Sequence, residues 1–375
     1  MAQPEPVIVG AVRTPHGREN GAFADIRSED LSIPLINEIL AQTGLTGDQV
    51  DDLMWGCAKQ HGEQGNNIAR IIALLSDLGE SVPATTINRL DGSSAQSIMS
   101  ASDAIRAGQR TVIIAGGVES MSNAGFGSEV EYTDDRVNKL HEPGLLRMGT
   151  AADRIAEEHE IDRKLQDEYA YQSSQRAIAA TESGRFADEL VPVQTEDELV
   201  EEDEDIRQEW SVGELARLTP VLEGGATTAN IAPVSDGAAA TLVTSREFAE
   251  EHGLNILVEL GDTTIAGVDP TTASEPISAV EKSLEKTGRT IGDYDLIELE
   301  EMTAGQTVYC QRELGIDDSV LNVNGGAIAI GHAPGASGAR LVVTLAHEMQ
   351  KRGVDRGLMM MPVTLGQGMS IELLR

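Results

Sequence analysis

Thr85-Thr-Ile-Asn-Arg-Leu-Asp-Gly-Ser-Ser-Ala-Gln-Ser-Ile-Met-Ser-Ala-Ser-Asp-Ala-Ile-Arg-Ala107, followed closely by Thr111-Val-Ile-Ile-Ala-Gly-Gly117, is the stretch that decides the fold. Residues 85–88 read as a short strand, since β-branched side chains suit a pleated backbone. Residues 93–107 place apolar side chains at helical spacing, and residues 111–117 form an apolar run that stops at a glycine pair, the pattern of a buried strand. Strand, helix, strand in sequence implies a right-handed crossover and a parallel sheet covered on both faces. Working outward, Val7-Ile-Val-Gly-Ala-Val12 predicts a buried strand, residues 28–43 a helix, and residues 50–55 a strand closed by Gly56.

The middle of the chain breaks this rhythm. Residues 120–222 are polar, with a helical stretch at 148–182 and the acidic run Glu196-Asp-Glu-Leu-Val-Glu-Glu-Asp-Glu-Asp205, which reads as a solvated surface segment. After Ser235-Asp-Gly-Ala-Ala-Ala240 the alternation resumes, with strands expected at 256–260, 295–299, 319–322 and 358–362 and helices at 277–287 and 336–352. The plan is two α/β halves with a polar insertion in the first.

Composition narrows the function. The 375 residues carry 28 Lys and Arg against 62 Asp and Glu, a net charge of −34. Nucleic acid and anionic lipid both require a basic surface, so neither is an expected partner. Only six of the basic residues are lysine and aromatics are 3% of the chain, a balance suited to multimolar salt, which screens self-repulsion over about 3 Å. A halophilic source is therefore expected. No run of about 18 uncharged apolar residues is present, and the opening Met-Ala-Gln-Pro-Glu-Pro lacks a secretory pattern, so the reading is a cytoplasmic protein without membrane contact. Cys57 and Cys310 are too few and too far apart for a disulfide framework or a zinc site.

Three glycine-rich turns carry the chemistry: Asn88-Arg-Leu-Asp-Gly-Ser-Ser94, Asn324-Gly-Gly-Ala-Ile-Ala-Ile-Gly-His332 and Pro362-Val-Thr-Leu-Gly-Gln-Gly368. Such turns aim backbone N–H groups at a cleft, where they can hold a carbonyl oxygen or an anion. Their order, together with Val7 to Pro15, Trp55-Gly-Cys57, Glu63 to Arg70, Gly116-Gly-Val-Glu-Ser-Met-Ser-Asn123, Met148-Gly-Thr-Ala-Ala152, Leu218-Thr-Pro220 and Ser235 to Ala240, resembles the thiolase family from about residue 7 to the C-terminus, and within it the 3-ketoacyl-CoA thiolases. The resemblance implies a five-layered α/β/α/β/α core of two similar halves, residues 1–247 and 248–375, with a loop domain at about 119–225 over a CoA thioester. It implies acyl transfer between CoA thioesters, with CoA or acyl-CoA as substrate and no permanently bound cofactor, in a homodimer or homotetramer.

The site departs from the family's pattern. Where the resemblance places a nucleophilic cysteine at a helix start, this chain has Asp91; where it places the second, acid/base cysteine, this chain has Pro362. Glu300-Glu-Met-Thr303 stands for Asn-Glu-Ala-Phe, so Glu300 takes the position of the asparagine that holds an oxyanion-hole water. Thr364 replaces an oxyanion-hole glycine. Around the pantetheine, Arg147 beside Met148 replaces a His, Ala232 a Ser, and Thr303 the motif's Phe. His332 is retained. It would polarise the thioester carbonyl, with the N–H of residue 91 in the second oxyanion hole.

A carboxylate attacking a thioester would give a mixed anhydride, uphill of the thioester, so Asp91 is no simple substitute for a thiolate. Three readings stay open. The chain is an acyltransferase with altered residues; or a non-catalytic CoA-ester-binding subunit of an active thiolase; or Asp91, Glu300 and His332 converge for acid/base chemistry or as a facial metal triad. The structural alternative makes Asp91 a helix N-cap worth on the order of 1 kcal/mol, Glu300 a water-facing residue and His332 a packed turn residue. Cys57, at a strand end, and Cys310, in a helix-like stretch, are not expected to replace the missing thiols.

Overall fold

The computed structural model describes residues 3–124, 134–207 and 210–375. Its first half runs β1 (Pro6–Arg13), α1 (Ser28–Thr43), β2 (Asp52–Gly56), α2 (Ile68–Leu75), β3 (Ala84–Ile87), α3 (Ser93–Arg106), β4 (Val112–Glu119), then α4 (Met148–Glu158), α5 (Arg163–Glu182) and β5 (Ser235–Ser245). The second runs β6 (Val258–Gly267), α6 (Glu275–Thr287), β7 (Leu296–Leu299), α7 (Ala304–Leu314), α8 (Ala327–Ile330), α9 (Pro334–Arg352), β8 (Arg356–Val363) and β9 (Gln367–Leu374).

These strands line up as β7-β8-β9-β6-β1-β5-β4-β2-β3. The halves repeat one topology. In the first, β3 and β4 flank β2 in parallel, and β5 pairs antiparallel with both β4 and β1. In the second, β8 lies parallel to β7, and β9 antiparallel to both β8 and β6. The strand expected at 319–322 is a single parallel bridge, Leu321 to Ile297. β1 and β6 join the halves through Val7–Glu259 and Ile8–Val258.

Alternation along the strands builds five layers. Val112 and Ile114 of β4 face α1 and α2 through Leu31, Leu35, Ile39 and Ile72. Ile113 and Ala115 face the other way, onto Ile98, Ile105, Val342 and Leu345 of α3 and α9. Met359 and Met361 of β8 join that same central cluster, while Leu358 and Met360 pack outward on Ile277 and Val280 of α6. α3 and α9 are thus the shared middle layer, and their N-termini meet between the sheets. The strand–helix–strand segments pair in parallel as expected, and β5 and β9 add antiparallel strands to them.

The helical stretch expected at 148–182 divides at Glu160, whose φ of 53° is left-handed. Asp162 then caps α5, accepting the Leu165 N–H at 2.9 Å. The acidic run is not wholly solvated, against expectation. Asp203 is 2% exposed and takes Arg13 Nη1 and Nη2 at 2.7 and 2.9 Å, while Arg13 Nε reaches Glu189 at 2.7 Å. A guanidinium fork matches a carboxylate, so burial of both is compensated. The run therefore clamps the end of β1. Among the described residues no helix is long and apolar enough to cross a membrane.

Candidate functional site

Asp91 sits on the turn between β3 and α3. Asn88 Oδ1 accepts the Leu90 N–H at 2.9 Å. Ser93 Oγ accepts the Arg89 N–H at 3.0 Å and donates to Leu90 O at 2.5 Å. These bonds hold Leu90 at a left-handed φ of 49°, a conformation costing on the order of 1–3 kcal/mol for a residue with a Cβ. The side chain of Asp91 does not cap α3, correcting the N-cap reading: Gly92 is the cap and makes no side-chain bond. Instead the carboxylate turns toward Thr364 and His332. Its Oδ2 accepts Thr364 N–H at 3.0 Å and Thr364 Oγ1 at 2.5 Å, and its Oδ1 lies 3.3 Å from His332 Nε2.

His332 follows the single turn α8. Gly331 has φ 114°, and a Cβ there would strike Ser235, so only glycine fits between them. The His332 N–H donates to Pro233 O at 2.8 Å and its carbonyl accepts the Ser235 N–H at 2.9 Å, which fixes the ring. Nδ1 donates to Glu300 Oε1 at 2.8 Å, with Ser337 Oγ also at 2.8 Å. Glu300 is 1% exposed, so it does not face water; its Oε2 accepts Arg340 Nη2 at 2.6 Å. Asp91, His332, Glu300 and Arg340 form a row of alternating charge. His332 stands between the two carboxylates with both ring nitrogens engaged, so the facial triad is not formed. Among the described residues no group of three or more His, Cys, Asp and Glu is arranged to hold a metal ion.

The row sets its own ionisation. Burial alone would lower the His332 pKa, but the bonds to Asp91 and Glu300 outweigh it and raise it to about 9. Burial alone would raise that of Asp91, but His332 and Thr364 bring it down to about 2. Glu300 is likewise lowered, Arg340 and His332 overcoming its burial. At neutral pH the row is two anions and two cations.

Pro362 lies buried in β8 opposite Gly368 and offers no titratable group. Ala232 and Thr303 are neighbours: the Ala232 N–H donates to Met302 O at 3.1 Å, and Ile231 bridges to Thr303. Thr303 is spent as the N-cap of α7, accepting the Gln306 N–H. Met148 is buried at the start of α4, and Arg147 before it is exposed. None of these four hydrogen-bonds to Asp91 or His332. Cys57 and Cys310 are buried, and burial pushes both thiols far up, Glu119 adding to the effect at Cys57 and Glu275 at Cys310. Two surface cavities, about 450 and 250 Å³, are lined by residues such as Glu38 and His347 or Trp210 and Ile328; neither is lined by Asp91 or His332, though the second reaches Pro233, which bonds the His332 main chain.

Sequence reasoning missed Arg340, which left a signal as the one charged residue between Pro334 and Ala346.

Residues 6–247 match the family model of the thiolase N-terminal domain and residues 254–375 that of the thiolase C-terminal domain. The chain is 40% identical over 378 residues to a 3-ketoacyl-CoA thiolase of Aeromonas salmonicida, covering 97% of both. It is 39% identical over 394 residues to a beta-ketoadipyl-CoA thiolase of Pseudomonas putida, covering 98% of both. Its structure resembles the crystal structure of the Bacillus anthracis acetyl-CoA acetyltransferase with a TM-score of 0.91, at 33% identity and covering 100% of this chain and 99% of that one. The chain belongs to the thiolase family.

Proposed function

We propose, from that membership, that the protein binds CoA thioesters at the Asp91–His332 cleft and does not carry an acyl group on residue 91. One observation carries the reading: the Asp91 carboxylate is engaged through both oxygens, by Thr364 and by His332. The hydrogen bonds from Thr364 and His332 draw electron density from both Asp91 oxygens and weaken them as nucleophiles, and acylation would give a mixed anhydride, uphill of the thioester. Neither buried cysteine supplies the missing thiolate. What remains is a fixed imidazolium on glycine-rich turns, suited to a thioester carbonyl oxygen. CoA thioesters are the common substrate in the names of the relatives. Here CoA is substrate rather than resident cofactor. The reaction of 3-ketoacyl-CoA with CoA to give acyl-CoA and acetyl-CoA then falls to an active thiolase partner, in an oligomer working in concentrated salt.

The test combines calorimetry and intact mass in multimolar KCl. Acetyl-CoA is expected to bind, thiolysis of acetoacetyl-CoA to be absent, and no acetyl adduct to form on the wild-type chain. Asp91→Cys, which restores a thiol at the helix start, is expected to gain one acetyl group. Thiolysis by the wild-type protein, or acetylated Asp91, would refute the reading.

A further inference from the structure

After β7 the chain carries two consecutive buried carboxyl side chains, Glu300 and Glu301. Glu300 holds the His332 ring through Nδ1. Glu301 instead meets the polar insertion. Its Oε1 accepts Tyr169 Oη–H and Asn322 Nδ2–H, each at 2.8 Å. Its Oε2 accepts Ser173 Oγ–H at 2.8 Å and the Ile328 N–H at 3.1 Å. Ser173 Oγ already accepts the Gly326 N–H at 3.1 Å, which commits its own proton to Glu301. Tyr169 and Ser173 are four residues apart on α5 and so stand on one face of it. Gly326 and Ile328 lie at the start of α8, the turn that ends at Gly331 and delivers His332. A Cβ on Gly326 would overlap the Glu301 carboxyl, and one on Gly325 would come within 2.6 Å of Ser173 O. The glycine pair of the second glycine-rich turn is thus what lets that turn dock on α5. One side chain pins the insertion helix, the bend at Asn322 and the α8 turn together.

We propose that Glu301 is a positioning residue: it clamps the α8 turn onto α5 and so sets where the His332 imidazole meets a thioester carbonyl. The proposal rests on the reading of the cleft as a CoA-thioester site. The clamp reaches His332 by two routes. Along the main chain, Ile328 is four residues before His332, and only the α8 turn separates them. Through the ring, Glu301 directly follows Glu300, whose Oε1 fixes Nδ1. An amide at 301 cannot serve this clamp, because four donors converge on it. Turned one way its NH2 meets Tyr169 and Asn322, and turned the other way Ser173 and Ile328. Each pair includes one of the two α5 hydroxyls, so either orientation loosens the insertion from the His332 turn. Free CoA has no thioester carbonyl, so only an acyl-CoA senses where His332 stands.

The experiment compares calorimetric binding of acetyl-CoA and of free CoA in multimolar KCl. Wild type is expected to prefer acetyl-CoA, since only that ligand offers an oxygen to His332. Glu301→Gln should lose about tenfold in acetyl-CoA affinity, the size of one hydrogen bond to a charged group, and keep its affinity for CoA. Tyr169→Phe and Ser173→Ala each remove one donor and leave the Glu301 carboxyl in place; each should lose part of the preference. A Glu301 that only supports the fold would lower the unfolding midpoint and leave the ratio of the two affinities where it was. A wild-type ratio in Glu301→Gln, or in both milder variants where that protein does not fold, overturns the proposal, as does equal weakening of the two ligands. Absence of acetyl-CoA binding by the wild type, or binding with no preference over CoA, instead overturns the reading of the cleft, and this proposal with it.

Discussion

Replacing Glu300 by Gln takes one charge out of the Asp91–His332–Glu300–Arg340 row and leaves an amide oxygen within reach of His332 Nδ1. The His332 pKa is raised from 6.5 to about 9, which corresponds to roughly 3 kcal/mol in favour of the imidazolium. Because the folded value is the higher one, that stabilisation is whole below pH 6.5 and is lost as the pH rises through about 9. Removing an anion at hydrogen-bond distance should lower the His332 pKa by about 1–3 units. Arg340 loses its partner at 2.6 Å and keeps only Glu298, at 3.9 Å. An uncompensated buried charge costs about 3–5 kcal/mol. Glu298, which burial and neighbouring carboxylates hold up at about 8 against the pull of Arg340, then ionises more readily and offsets part of that loss. The assay is an NMR titration of the His332 ring, assigned with His332→Gln, together with urea unfolding at pH 6 and 9.5. His332 should account for about 3 kcal/mol of the wild-type loss between those pH values, beside the further loss from the raised Glu298 and Glu275 carboxyls, and the variant should lose distinctly less. A wild-type His332 that titrates near 6.5, or one whose titration Glu300→Gln leaves in place, would refute the reasoning.

Asp203→Asn should cost on the order of 3 kcal/mol in urea unfolding, since it leaves Arg13 with Glu189 alone inside the protein; an unchanged midpoint would return the acidic run to the solvated role expected from sequence. Gly368→Ala should destabilise by several kcal/mol because its Cβ meets the Glu275 backbone, whereas Gly149→Ala in α4, whose nearest neighbour is 3.9 Å away, should gain about 0.5–1 kcal/mol. Native Cys57 and Cys310 should resist iodoacetamide and react only after unfolding, as mass spectrometry will show; rapid native labelling of either would mean its burial is broken by opening. With a net charge of −34, the unfolding midpoint should rise steeply with KCl up to molar concentration, and a flat dependence would remove the argument for a saline setting.

Local pattern determined much of this protein by itself. Residues 28–43 are the helix their periodicity describes, and 85–117 give strand, helix, strand, because helix phase and strand alternation are set by neighbours within a few residues. Even the convergence of Asp91, Glu300 and His332 was legible, through the resemblance that placed three distant turns at one cleft. Tertiary structure alone decided what each residue does there. β5 is rich in small residues with little intrinsic strand preference and exists because β1 and β4 pair with it on both sides. Asp91 reads locally as a helix cap, yet Thr364 and His332, 273 and 241 residues away, take its carboxylate. Asp203 reads as one more solvated acid until Arg13, 190 residues earlier, is brought against it. A carboxylate buried alone would be too costly to keep, so its ionisation, and with it the chemistry open to the cleft, depends on cations that only the folded chain delivers.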